Sequence, residues 1–112
     1  MIIQKNSVNE LTFKLAQYFK DTVLTDIIAI EITFGTKKSQ VRKLWYLYDN
    51  LNSTATFNRT PLTLKVKLTA EESSKWQYQV PVQIRIKNKS NKITTSEIFY
   101  LYIQEGLSAE EF

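Results

Sequence analysis

A chain of 112 residues with 43% apolar and 23% charged side chains has the make-up of one globular domain around one core. It contains no cysteine and no histidine, which excludes disulfides, thiolate metal sites and any imidazole base or ligand. The formal charge of +4 fits a solvated surface better than a polyanion-binding one.

The opening MIIQKNSV lacks the charged region, long apolar run and small-residue cleavage site of a signal peptide. No stretch approaches the ~18 apolar residues of a spanning helix. The expectation is a soluble protein made in a cytoplasm, folded as one domain over residues 1–112. Its sequons at Asn52, Asn58 and Asn88 are then chance matches in polar loops.

Period-two alternation dominates from there. In LTFKLAQ, Leu11, Phe13 and Leu15 oppose Thr12 and Lys14, which predicts a strand. The longer SVNELTFKLAQYFKD also fits a helix, with Ser7 and Glu10 as a capping box and Val8, Leu11, Leu15 and Tyr18 on one stripe. The strand is preferred because the remainder of the chain is β-patterned. In IIAIEITF, Ile28, Ile30, Ile32 and Phe34 form the apolar face. GTKKSQ, at 35–40, is a hairpin loop between two strands. DNLNSTATFNRTP, at 49–61, is the longest irregular segment, with Phe57 as its anchor. LTLKVKL alternates cleanly over residues 62–68. Residues 69–75 then favour one helical turn, because Thr69 and Glu72 form a capping box and Glu71 and Glu72 suit a positive helix N-terminus. Such a turn carries the chain from one sheet to another, and Trp76 returns it to the core. In YQVPVQIRIK, Tyr78, Val80, Val82, Ile84 and Ile86 face inward, with Pro81 marking a sheet edge or a bulge. KNKSNK, at 87–92, is a second hairpin loop.

Two strands lack a wet face. In VRKLWYLY, Val41, Lys43, Trp45 and Leu47 oppose Arg42, Leu44, Tyr46 and Tyr48. In EIFYLYI, Ile98, Tyr100 and Tyr102 oppose Phe99, Leu101 and Ile103. One face of each serves the core, and the other needs cover. That cover is either a partner subunit meeting Leu44, Tyr46, Tyr48, Tyr100 and Tyr102, or the chain's own segment 49–61 or N-terminus. Tyrosine suits a partner surface because it joins apolar area to a polar handle. Lys37, Lys38, Arg42 and Lys43, with Lys87, Lys89 and Lys92, could form one basic surface.

No catalytic, cofactor or metal motif is present. Asp21, Asp26, Glu31 and Asp49 have no spacing that pairs them across a cleft. The serines have no histidine and no nucleophile-elbow glycines, and no glycine-rich phosphate loop occurs. The expectation is a non-enzyme with no catalytic residues, no cofactor, no metal and no small-molecule substrate.

LTLKVKLTAEESSKW, then VPVQIRIKNKSNKITTSEIFYLYIQEGLSAEEF, resembles small accessory proteins of tailed bacteriophages of low-GC bacteria. LTFKLAQ and IIAIEITFGTKK look like the first strands of the same pattern. The layout is similar to the immunoglobulin-like sandwich that opens phage baseplate upper proteins. The resemblance implies an all-β, immunoglobulin-like sandwich of about seven strands. It also implies a structural role in the virion, in a capsid-decoration, neck or tail position, with other virion subunits or further copies of the chain as partners. An intracellular inhibitor, immunity or host-takeover module is the alternative. Nucleic-acid binding is a third reading that the absence of RRM, KH and cold-shock motifs disfavours.

Overall fold

A computed structural model describes residues 1–20 and 24–106. Its strands are β1 (Ile2–Gln4), β2 (Asn9–Lys14), β3 (Ile27–Phe34), β4 (Val41–Tyr46), β5 (Ala55–Arg59), β6 (Leu62–Leu68), β7 (Gln79–Asn88), β8 (Ile93–Thr95) and β9 (Phe99–Gln104). One short helix, α1, spans Ala70–Ser73. The larger sheet has six strands in the order β1-β9-β7-β3-β4, with β8 sharing an edge of β7, and the smaller has the order β2-β6-β5. The two pack face to face, so the fold is an all-β sandwich.

Alternation sets the core. Phe13, Leu64 and Val66 from the smaller sheet meet Ile30, Ile32, Phe34, Val80, Val82 and Ile84 from the larger, all buried. Phe13 sits at the centre of an aromatic cluster, its ring 6.3 Å from Phe34, 6.2 Å from Phe99 and 6.0 Å from Tyr18. Truncating a buried phenylalanine of this kind to alanine costs about 3–5 kcal/mol. Among the described residues, every buried side-chain nitrogen and oxygen has a hydrogen-bond partner.

Residues 7–18 adopt the strand alternative, with β2 followed by a single 3-10 turn at Leu15–Gln17. Three other expectations are corrected. First, the β3–β7 register shifts between Ile27 and Ala29, so the core receives Ile27 and leaves Ile28 half-buried. Second, segment 49–61 is mostly ordered: it holds a 3-10 turn at Asn50–Asn52 and then β5, which joins the smaller sheet. Phe57 does anchor it, buried with its ring 4.7 Å from Trp45. Third, the edge that Pro81 marks is only local: β7 is an interior strand, but β3 pairs with it no further than Val82. Pro81 is tolerated because β3 has already ended beside it: Gly35 N–H, at the start of the turn, donates to Pro81 C=O at 2.8 Å. A proline nitrogen facing that turn removes no ladder bond.

The helical turn closes one end of the sandwich. Thr69 Oγ1 accepts Glu72 N–H and Glu72 Oε1 accepts Thr69 N–H, which completes the capping box. Ser73 is fully buried and bonds both ways to Ser7, tying α1 to the β1–β2 turn. Trp76 stacks on Phe34 at 5.8 Å and donates its indole N–H to Ser39 C=O at 2.9 Å. Gly35, at φ +86°, leaves the room for this: a Cβ there would lie 2.7 Å from both Ser39 O and Trp76 Nε1.

Glu72 also receives the Lys43 ammonium at 2.8 and 2.9 Å. Burial pushes the Glu72 pKa up, but the hydrogen bonds from Lys43 and Thr69 outweigh it and hold the carboxyl below its ordinary value. A depressed carboxyl contributes stability above its unfolded pKa of ~4.3 and loses it as pH falls through the lower, folded value. Glu72→Gln keeps a capping side chain but loses the charge. We expect it to cost about 1 kcal/mol at neutral pH. The difference from the native chain should vanish under acid, as chemical denaturation at a series of pH values would show.

Candidate interaction face

The parity that buries the core also decides what the larger sheet shows to solvent. Outward from β3 stand Ala29, Glu31 and Thr33; from β4, Arg42, Leu44 and Tyr46; from β7, Gln79, Pro81, Gln83, Arg85 and Lys87; from β9, Tyr100, Tyr102 and Gln104. Neither proposed internal cover lies over this face. Segment 49–61 turns along the free edge of β4: Thr54 Oγ1 accepts Leu44 N–H at 2.8 Å and Ser53 Oγ accepts Tyr46 N–H at 2.9 Å. The N-terminal β1 pairs in parallel with β9 at the opposite edge.

Two distinct regions result. One is an apolar ridge at the β1–β9 edge. Tyr102 lies between Ile2 on one side and Gln79 on the other, and Tyr100 is paired with Pro81. Ile2, Tyr100 and Tyr102 are 52%, 57% and 69% exposed, and Ile98, just before β9, is exposed as well. The register comes from the β8–β9 break. There Ser96 is buried, donating N–H to Ile84 C=O and accepting Ile84 N–H through Oγ. Tyr78, expected to face inward, instead presents an exposed ring just before β7, because its positive φ breaks the alternation there. Its φ of +65° is unusual for an aromatic residue. Ile103 N–H, donating to Tyr78 C=O at 2.8 Å, fastens it there.

The other region is a groove near the opposite corner. Ala29 forms its floor because its register neighbours, Tyr46 on β4 and Lys87 on β7, are both long. Leu44, Ile93, Arg42 and Arg85 complete the walls. Glu31 lies between two cations: Arg42 is hydrogen-bonded to it and Arg85 approaches to 3.7 Å. The bond to Glu31 raises the Arg42 pKa above its ordinary value. Three cations therefore face one carboxylate.

The five residues expected to form one surface are thus divided. Leu44 and Tyr46 flank the groove, whereas Tyr100 and Tyr102 build the ridge. Four residues of β7 and three inter-strand steps separate them, about 20 Å. Tyr48 is exposed, but it stands in the turn after β4 rather than on the strand face. The expected single basic surface is likewise corrected. Lys37 and Lys38 cap the β3–β4 loop, while Lys89 and Lys92 cap the β7–β8 hairpin at the other end of β3. Lys43 points inward to Glu72, and Arg42 and Lys87 alone of the set line the groove. Alternation could not place Ile2, Ala29 or Ile93, because each takes its role from the register with a neighbouring strand.

Among the described residues, no group of three or more acidic side chains could hold a metal ion. Asp21 lies outside the described residues, as does most of the GLSAEEF segment that contributed to the phage resemblance. No protein-family model matches this chain, and a search of curated proteins returns no match.

Removing the central carboxylate with Glu31→Gln should leave Arg42 and Arg85 repelling each other across β3. We expect a small loss of stability at low salt that shrinks at molar salt, read from thermal melts at the two ionic strengths.

Proposed function

We propose that this protein is a non-enzymatic structural or accessory subunit of a tailed-phage particle, working by association through the outer face of its larger sheet. The observation that carries the assembly part is the ridge: Ile2, Tyr100 and Tyr102 are exposed on one sheet, beside Pro81, with exposed Ile98 just before β9. Aromatic side chains of this size bury about 150–250 Å² each, so a neighbour covering the ridge gains several hundred Å² of contact. Rigid tyrosines are favoured anchors in such contacts.

The phage part rests on the resemblance of the strand-and-turn layout. The strand order supports its immunoglobulin-like form. The succession β9-β7-β3-β4 opposite β2-β6-β5 corresponds to the G-F-C-C′ and B-E-D sheets of such domains, with α1 at the E–F corner. Subunits of a particle meet many identical neighbours, and a small sandwich with one apolar ridge suits that role.

Two measurements test this reading. Mass spectrometry of purified particles should find abundant peptides of this chain. Light scattering after size exclusion should show concentration-dependent self-association, or a complex with a virion subunit, that Tyr100→Ser with Tyr102→Ser weakens at least tenfold. A monomer at high concentration that no virion subunit binds contradicts the proposal.

A further inference from the structure

The groove is chemically different from the ridge. Its floor is apolar, made by Ala29, and its walls are Leu44, Tyr46 and Ile93. Its rim is cationic, with Arg42, Arg85 and Lys87 against the single carboxylate of Glu31. Such a site favours an extended peptide that carries carboxylates next to apolar side chains. The chain itself contains that chemistry: in GLSAEEF, Glu110 and Glu111 follow Leu107 and precede Phe112, with no cation between Gly106 and Phe112. This segment is acidic in a chain whose formal charge is +4.

By chain length alone, a copy's own segment falls short of Ala29 in its own groove. Gln104, the last residue of β9, lies two residues beyond the Tyr102–Gln79 pair, while Ala29 is paired with Lys87, eight residues further along β7. With the two inter-strand steps from β9 to β3, the separation is about 35 Å. The eight residues from 105 to 112 span at most about 28 Å when fully extended. A groove on a second copy is free of that limit.

We propose that residues 107–112 of one copy dock in the Ala29 groove of another, with Glu110 and Glu111 meeting Arg85 and Lys87 and an apolar side chain resting over Ala29. The contact joins two different surfaces, so it is head-to-tail and propagates into a ring or a filament rather than stopping at a pair. It does not depend on the ridge, which lies about 20 Å away.

The test is a fluorescently labelled GLSAEEF peptide titrated with the full chain and followed by anisotropy. It is repeated on the Tyr100→Ser, Tyr102→Ser chain, so that a failed ridge and an empty groove give different results. Saturable binding is expected. It should fall at least tenfold with Lys87→Glu, with Ala29→Phe, or with a peptide carrying Gln at both glutamates, and it should weaken as salt rises. Lys87 is on the solvent face, so Lys87→Glu remains informative if Ala29→Phe does not fold. In the full chain, Glu110→Gln with Glu111→Gln should reduce self-association. No binding at millimolar peptide, or equal binding to the groove variants, overturns the proposal. So does self-association that needs the groove but is unchanged by the glutamate substitutions, since another part of the second copy then occupies the site.

Discussion

In β7 the side chains of Val80, Val82, Ile84 and Ile86 are all buried, and between them Pro81, Gln83, Arg85 and Lys87 point the other way. That alternation holds the larger sheet in place. β7 pairs with β3, β8 and β9, so its parity sets the parity of its neighbours. A slip of one residue would put four aliphatic side chains into water and send Arg85 and Lys87 into the core, a cost of many kcal/mol. The same constraint leaves Tyr100, Tyr102, Leu44 and Tyr46 outside. The exposure of Tyr100 and Tyr102, and the half-burial of Leu44 and Tyr46, are consequences of the core, and neither segment 49–61 nor the N-terminal strand lies over them.

The remaining surfaces of the sandwich are dressed differently. The outer face of the smaller sheet is wet, with Glu10 opposite Lys67 and Lys65 flanked by Thr12 and Thr56, all exposed. The free edge of β4 is occupied by Ser53 and Thr54. One end is closed by α1, Trp76 and the Lys43–Glu72 pair. A sheet edge left open invites unwanted pairing, and covering β4 is one way proteins avoid it. With that edge and that end closed and the smaller sheet wet, the outer face of the larger sheet is where exposed tyrosine and isoleucine concentrate.

Most of the core was legible in the sequence because period two is a local signal. Leu62–Leu68 and Val80–Ile86 alternate without interruption, and the Thr69–Glu72 capping box is written in four consecutive residues. What was not legible depends on non-local register. The bulge between Ile27 and Ala29 cannot be seen in a run of isoleucines where either parity looks apolar. Asn9 occupies an inward position of β2 and is buried, because it bonds the backbone of Gln4 and Ser7, and alternation alone would have made it a break. Lys43 was predicted inward by parity yet grouped with surface lysines, and its partner Glu72 lies 29 residues away. For the interaction face, the tyrosines could be named from the pattern, but their division into a ridge and a groove follows from strand order.

The central claim is that a neighbouring molecule covers the ridge. Oxidative footprinting, comparing dilute isolated protein with purified particles, tests it most directly. The account predicts that Tyr100 and Tyr102 are labelled in the isolated chain and protected in the particle, while exposed Tyr48, outside the ridge, serves as the internal reference. Equal labelling of Tyr100 and Tyr102 in both states would contradict it.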